Sequence, residues 1–278
     1  MNCCSRRISI YDSFILTAKF YILLSNLKQT IAMQYSKNYN IRYYNCDTSL
    51  TASVYSIIRI FEDIAVHQSD DLGVGIEYYN TNKVGWMLTR WSVRINKLPK
   101  FRDEIKVTTI PKAFSGFYAN REYIIHDSQG EEIITATTLW IFVNLQTRRP
   151  IKISQEMFDK YNPSRTDMKT FTKLKEIKPV DRTDYEKQFR VRLSEIDTNG
   201  HVNNSEYISW ALEVMPLDLQ KNYRLSSFFV NYLKETNVDD MITVKTKAER
   251  VKNFKLTTTE IECNGAVTAR IEFEWEKI

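Results

Sequence analysis

Phe189-Arg-Val-Arg-Leu-Ser-Glu-Ile-Asp197-Thr-Asn199-Gly-His201 is the second writing of a pattern that first occurs as Tyr39-Asn-Ile-Arg-Tyr-Tyr-Asn-Cys-Asp47-Thr-Ser49-Leu-Thr51, at a constant offset of 150 residues. In each copy a short strand and an Asp-Thr turn lead into a helix, so the chain has two halves on one plan. The first helix carries Val54, Ile57, Ile58 and Phe61 on one face. The second carries Ile208, Ala211, Leu212 and Met215, can be capped by Asn203, Asn204 or Ser205, and is closed by Pro216. Tyr207, Trp210 and Val214 widen its apolar surface beyond one stripe, which calls for a broad cover such as a curled sheet.

Long strands follow each helix. In the first half they are Val84 to Ile95, Ile105 to Thr109, Phe117 to His126 and Ile133 to Leu145, with a hairpin turn at Asp127-Ser-Gln-Gly130. In the second they are Ser227 to Leu233, Ile242 to Val251, Lys255 to Cys263 and Ala266 to Trp275. Asn264-Gly265 joins the last two by the strongest short-range hairpin signal. One helix followed by an antiparallel meander, twice, predicts an α+β chain of two sheet domains that wrap their helices and join across the middle. The stretch Gln146 to Lys187 is charged and weakly periodic, and reads as a linker with one short helix.

The repeat also locates the chemistry. In a roughly extended segment side chains alternate, so Asp197, Asn199 and His201 would project together just ahead of the second helix. The unpaired N–H groups and positive dipole end of that helix suit a polarised carbonyl oxygen. The first half has Ser49 and Thr51 where the second has Asn199 and His201, and Leu98 where the second has Glu235. The economical inference is that the second half reacts and the first supplies apolar wall for a long apolar group. Of its aromatics, Trp86, Trp91, Phe114, Phe117, Tyr118, Trp140 and Phe142, most are expected in the core, as aromatics usually are.

Composition sets the frame. At 278 residues, 43% apolar and 26% charged, the chain is long enough for one large domain or two smaller ones. A formal charge of +5 is mild, and the dispersed basic residues form no nucleic-acid motif. Cys3, Cys4, Cys46 and Cys263 make no C-x-x-C pair or metal-spaced cluster, which fits free thiols in a reducing compartment. His67 and His126 have no acid paired with them at short spacing and read as ordinary surface or helix-end residues. The stretch Ile8 to Leu27 is too interrupted by polar residues for a membrane span or a signal segment. Met33, just ahead of the first strand, reads as the better initiator, with residues 1–35 as a loose extension or misassigned start.

Beyond these readings, Asp197-Thr-Asn199-Gly-His201-Val-Asn-Asn-Ser-Glu-Tyr207-Ile-Ser-Trp210 closely resembles the catalytic motif of acyl-acyl-carrier-protein thioesterases, bacterial relatives of the plant plastid enzymes. Further matches lie in order along the chain at Ile41 to Asp47, Gly85 to Trp91, Phe114 to Ala119, Thr147 to Pro150 and Asn231 to Glu235. The resemblance implies a double hotdog fold with an N-terminal hotdog at 36–150 for the acyl chain, a linker at 151–185 and a catalytic C-terminal hotdog at 186–278. It implies hydrolysis of fatty acyl thioesters on the carrier protein, which ends chain elongation, in the cytoplasm. It maps the family's catalytic Asp, Asn, His and Glu onto Asp197, Asn199, His201 and Glu235. Plant members carry a cysteine after that glutamate; here Thr236 stands there, which puts an acyl-cysteine route in doubt.

The resulting expectation is carboxylate chemistry without metal or organic cofactor. Asp197 or Glu235 activates a water, or Asp197 attacks the thioester directly; the residues leave this choice open. Asn199 orients water or carbonyl, His201 positions a carboxylate or protonates the departing thiolate, and helix-start amides hold the oxyanion. The alternatives are an acyl-CoA thioesterase and a non-hydrolytic acyl-binding hotdog protein. Retention of all four polar residues speaks against the binder, and the excess of Lys and Arg favours an acidic carrier protein over coenzyme A. No membrane span or nucleic-acid partner is expected, and a homodimer is left open.

Overall fold

A computed structural model describes residues 34–163, 171–251 and 254–278. The expectations for the N-terminal extension and for Met33, Cys3 and Cys4 lie outside the described residues. The first half contains strand β1 (Tyr35–Asn40), helices α1 (Val54–Asp71) and α2 (Ile76–Asn82), and strands β2 (Val84–Ile95), β3 (Glu104–Ser115), β4 (Tyr118–His126), β5 (Glu132–Asn144) and β6 (Arg149–Pro150), then helix α3 (Gln155–Tyr161). The second contains β7 (Tyr185–Arg190), α4 (Asn204–Glu213), α5 (Leu217–Asn222), β8 (Tyr223–Tyr232), β9 (Met241–Val251), β10 (Phe254–Cys263) and β11 (Ala266–Lys277).

All strands belong to one antiparallel sheet in the order β1-β3-β4-β5-β2-β8-β11-β10-β9-β7, with β6 paired to β5. Read outward from the middle, the two halves have the same strand plan, as the sequence repeat requires. They meet where β2 pairs with β8, Arg90 facing Asn231 and Arg94 facing Ser227. Alternation along these strands sends Trp91, Val93, Phe228 and Val230 to the helix side, where they are buried.

The two long helices lie in that concavity because each is capped and has a wide apolar face. Ser53 accepts from the Ser56 amide at the start of α1, and Ile57, Ile58, Phe61 and Ile64 are buried. Asn203 caps α4, which buries Tyr207, Ile208, Trp210 and Ala211. One apolar cluster runs through both halves, from Phe61 and Trp91 to Phe228 and Trp275. Each such fully buried large side chain contributes about 1.5–3 kcal/mol relative to exposure. The helices also touch across the halves through the Tyr55 hydroxyl, which donates to Glu206 at 2.7 Å.

Several elements depart from expectation. Helix α1 continues to Asp71, well past Phe61. Helix α4 ends at Glu213, so Val214 and Met215 lie beyond it, between its last turn and the stop at Pro216; Pro216 also starts α5, its carbonyl accepting from Leu219 and Gln220. The expected linker is largely built into the fold. Met157 and Tyr161 of α3 complete a second apolar cluster with Val74, Phe114, Phe142 and Ile153. Only those two of its seven residues are buried, so periodicity is faint. Trp86, Phe114 and Phe142 belong to that cluster or pack on it, and Trp91 packs between Phe61 and Tyr123, so these aromatics are core.

The chain from Leu174 to Ile177 lies on the outer face of the sheet over the central seam. Arg90 donates to the Leu174 carbonyl at 3.0 Å, and its cross-seam neighbour Asn231 donates to the Lys175 carbonyl and accepts from the Ile177 amide. Leu174 and Ile177 are buried there. Among the described residues no helix is long and apolar enough to cross a membrane.

Candidate active site

The polar stretch ahead of α4 is a closed turn, which corrects the extended reading of Asp197 to His201. Gly200 adopts φ 81°, and Asp197 N–H donates to the His201 carbonyl at 2.8 Å while Gly200 N–H donates back to Asp197 at 3.1 Å. Strand alternation therefore does not orient the three side chains. The Asp197 carboxylate does: Oδ1 accepts from the Asn199 amide at 2.8 Å and the His201 amide at 3.3 Å, and Oδ2 accepts from the Asn199 side-chain nitrogen at 3.2 Å. This is the short-range side-chain-to-backbone bonding at which Asp excels.

The first half builds the same turn. Asp47 Oδ1 accepts from the amides of Ser49 and Thr51 at 2.8 and 3.2 Å, and Leu50 takes the left-handed place of Gly200 with φ 57°. Asp47 is a turn former, and Asp197 is one too; what distinguishes the second copy is the groups around the turn.

Glu235 comes from the loop after β8. Next to it Thr236 is fully buried, its hydroxyl 2.8 Å from Tyr207 Oη, its amide donating to that oxygen at 3.1 Å and its carbonyl accepting from Val202 at 3.2 Å. These bonds tie the loop to α4 and to the 197–201 turn, so Glu235 reaches His201, with Nε2 to Oε2 at 3.2 Å. Arg148, from the tight β5–β6 turn of the first half, closes on the same carboxylate oxygen. The four predicted residues thus form two pairs, Asp197 with Asn199 and His201 with Glu235, on one turn and the loop bonded to it. The His201 and Glu235 side chains are each about one-third exposed, open enough to meet a ligand.

Other expectations change. Asn203 is the helix cap: its side-chain oxygen accepts from Ser205 N–H at 2.8 Å and its carbonyl from Glu206 N–H at 3.0 Å. Those two first-turn amides are therefore occupied and do not serve an oxyanion; the helix dipole remains as a contribution of α4. His67 does have an acid neighbour, Asp63, at 3.6 Å one helical turn away, on an exposed face remote in sequence from the turn. The Cys46 and Cys263 thiols are both held above their ordinary range, chiefly by burial, the opposite of activation. Among the described residues no group of His, Cys, Asp and Glu could hold a metal ion.

Sequence reasoning missed Arg148 and Glu62 as neighbours of the site. Arg148 stands in a matched segment, but its arrival at Glu235 depends on the two halves joining. Glu62 lies on α1, where its Oε2 accepts from Asn203 Nδ2 at 3.3 Å. Only the position of a carboxylate one residue after the buried Phe61, on an otherwise apolar face, could have drawn attention to it.

Two helix-wrapped halves fused edge to edge into one sheet, with a single polar turn elaborated in the second, define a double hotdog protein. A family model described as the acyl-ACP thioesterase N-terminal domain matches residues 32–161, and one described as the C-terminal domain of the same enzymes matches residues 178–277. The chain belongs to the acyl-acyl-carrier-protein thioesterase family. It is similar to a chloroplastic palmitoyl-acyl carrier protein thioesterase of Gossypium hirsutum, 27% identical over 75% of this chain and 53% of the relative. To the protein of the same name from Arabidopsis thaliana it is 26% identical over 87% of this chain and 63% of the relative. The chain thus spans between half and two thirds of the length of these curated relatives. Among solved structures, an oleoyl thioesterase (putative) from Lactobacillus plantarum superposes with a TM-score of 0.82 at 25% identity, covering 88% of this chain and 96% of that one.

Proposed function

We propose that this protein hydrolyses fatty acyl thioesters carried on acyl carrier protein, releasing free fatty acid and the carrier thiol in the cytoplasm. The observation that carries the reading is the His201–Glu235 pair held against the Asp197–Asn199 turn at the start of α4, in a chain of this family. The N-terminal hotdog, 36–150, takes the acyl chain; the C-terminal hotdog, 186–278, does the chemistry, joined by 151–185.

In this mechanism Asp197 Oδ2, whose companion oxygen is committed to the backbone, directs a water at the thioester carbonyl, with Asn199 steering water or carbonyl. Water oxygen bonds to the carbonyl carbon, its proton passes to Asp197, and the carbon–sulfur bond breaks. His201, oriented by Glu235, gives its proton to the departing thiolate, and the proton on Asp197 returns to His201 through solvent. Arg148 fixes Glu235 and so the imidazole. The buried hydroxyl of Thr236, already shared with Tyr207, has no part as a nucleophile.

Matched acyl-carrier-protein and acyl-CoA substrates, assayed for thiol release with wild type and Asp197→Asn, test the proposal. Turnover of the carrier-bound ester that the substitution removes is the expected result; a preference for CoA esters would replace the substrate, and no turnover of either would replace the enzyme by a binder.

A further inference from the structure

Glu62 is a partly buried acid that the mechanism above leaves unused. It projects from α1 of the first half toward the catalytic turn of the second, and its Oε2 accepts from Asn203 Nδ2 at 3.3 Å. Its other oxygen, Oε1, is shut off from solvent with no hydrogen-bond partner. An ionised carboxylate with one oxygen in that condition is costly, and a fold that needed only apolar packing or a neutral bridge would be served better by Leu or Gln.

The groups facing it come from several elements. Asn203 and Asp197 belong to the catalytic turn, Glu206 to α4, Arg59 to α1 itself, Tyr123 to β4 and Tyr232 to β8. Burial, partly opposed by the Asn203 hydrogen bond and Arg59, and assisted by the charges of Asp197 and Glu206, pushes the Glu62 carboxyl up to about 7. Asn203 is well placed to transmit what Glu62 does. Its backbone follows His201 by two residues, its amide donates to the Glu195 carbonyl at 2.9 Å, and its side chain caps α4.

We propose that Glu62 is a positioning residue for the catalytic turn, holding the Asn203 side chain from the opposite half, and that its ionised form is the competent one. Ionisation turns the Asn203 contact into a charge-assisted hydrogen bond, roughly twice as strong as a neutral one. The first half thus contributes to the chemistry as well as to acyl binding. This inference rests on the reading of the Asp197 turn as the active site.

The experiment is the pH dependence of kcat and KM for carrier-bound acyl ester, with wild type, Glu62→Gln, Glu62→Ala and Asp197→Asn measured side by side. Glutamine keeps an acceptor for Asn203 but cannot ionise, so its kcat should lack the rise through pH 7 that wild type shows and stay near the low-pH wild-type value. Alanine should lower kcat about tenfold at high pH with KM little changed, the size of one lost hydrogen bond to a charged group. Superimposable pH profiles for wild type and Glu62→Gln would overturn the proposal, whatever thermal stability does. Should Asp197→Asn be inactive while both Glu62 variants behave as wild type, the inference fails alone; should Asp197→Asn keep full activity, the site reading fails first.

Discussion

Asp197 divides its labour between two oxygens: Oδ1 closes the turn through two backbone amides, and Oδ2 accepts from the Asn199 side-chain nitrogen. Asp47 Oδ1 closes its turn in the same way, so the aspartate alone does not tell the two copies apart; Asn199, His201 and Glu235, which the first half replaces by Ser49, Thr51 and Leu98, do. Arg148 and Glu62 come to the Asp197 turn from the other half of the chain, and spacing within one segment cannot report them. Thr236 gives the opposite lesson. Its position beside Glu235 invites a nucleophilic reading, yet its hydroxyl is buried and bonded to Tyr207. Thr236→Val, which keeps the shape and removes the hydroxyl, should lower stability by about 1 kcal/mol. Its kcat should remain within a few-fold of wild type. Denaturant midpoints and steady-state rates check this, and loss of turnover with unchanged stability would restore Thr236 to the chemistry.

Elements were legible where one face is strongly apolar and a cap or turn residue marks the end. The strand Val84–Ile95 has the bounds its sequence predicts, and the hairpins at Asp127–Gly130 and Asn264-Gly265 form with left-handed Gly130, Asn264 and Gly265. The one short helix expected between Gln146 and Lys187 is α3, whereas helices α2 and α5 escaped because they are one or two turns long, and of their residues only Leu219 is buried, too few to make a period. The turn expected at Asp197-Thr reads as roughly extended through His201 for a different reason: alternate polar residues mimic a strand, and one left-handed residue, Gly200, undoes the alternation. At Gly200 an added Cβ would meet nothing within 4 Å, so the cost of a side chain is backbone strain alone. Gly200→Ala should therefore lower stability by about 1 kcal/mol, as read from thermal unfolding. Leu50 shows that the turn survives such a residue. Failure of Gly200→Ala to fold would mean that the turn is held by something other than the bonds described.

At the scale of the molecule, the two halves share a sheet, a core and a strap. The β2–β8 seam is hydrogen-bonded, one apolar cluster spans it, and Asn231 holds the chain from Lys175 to Ile177 across its outer face. That the halves join was expected from the repeat; that the presumed linker is stitched over the joint was not, because its polar partners lie far away in sequence. Asn231→Ala strands the Ile177 amide and the Lys175 carbonyl, and should cost about 1–3 kcal/mol while unfolding remains a single transition by calorimetry. Two separated transitions in wild type would contradict the shared core. Fusion also brings Arg148 and Glu62 of the first half to the turn of the second, so the proposed site draws on both halves of the chain. The most direct test of that account is thiol release from acyl-acyl-carrier-protein by wild type and Asp197→Asn. The account predicts turnover by wild type and a loss of at least about 10²-fold in kcat in the variant, the lower end for a general base, with the fold intact by circular dichroism. A folded Asp197→Asn protein that hydrolyses the ester at the wild-type rate would contradict it.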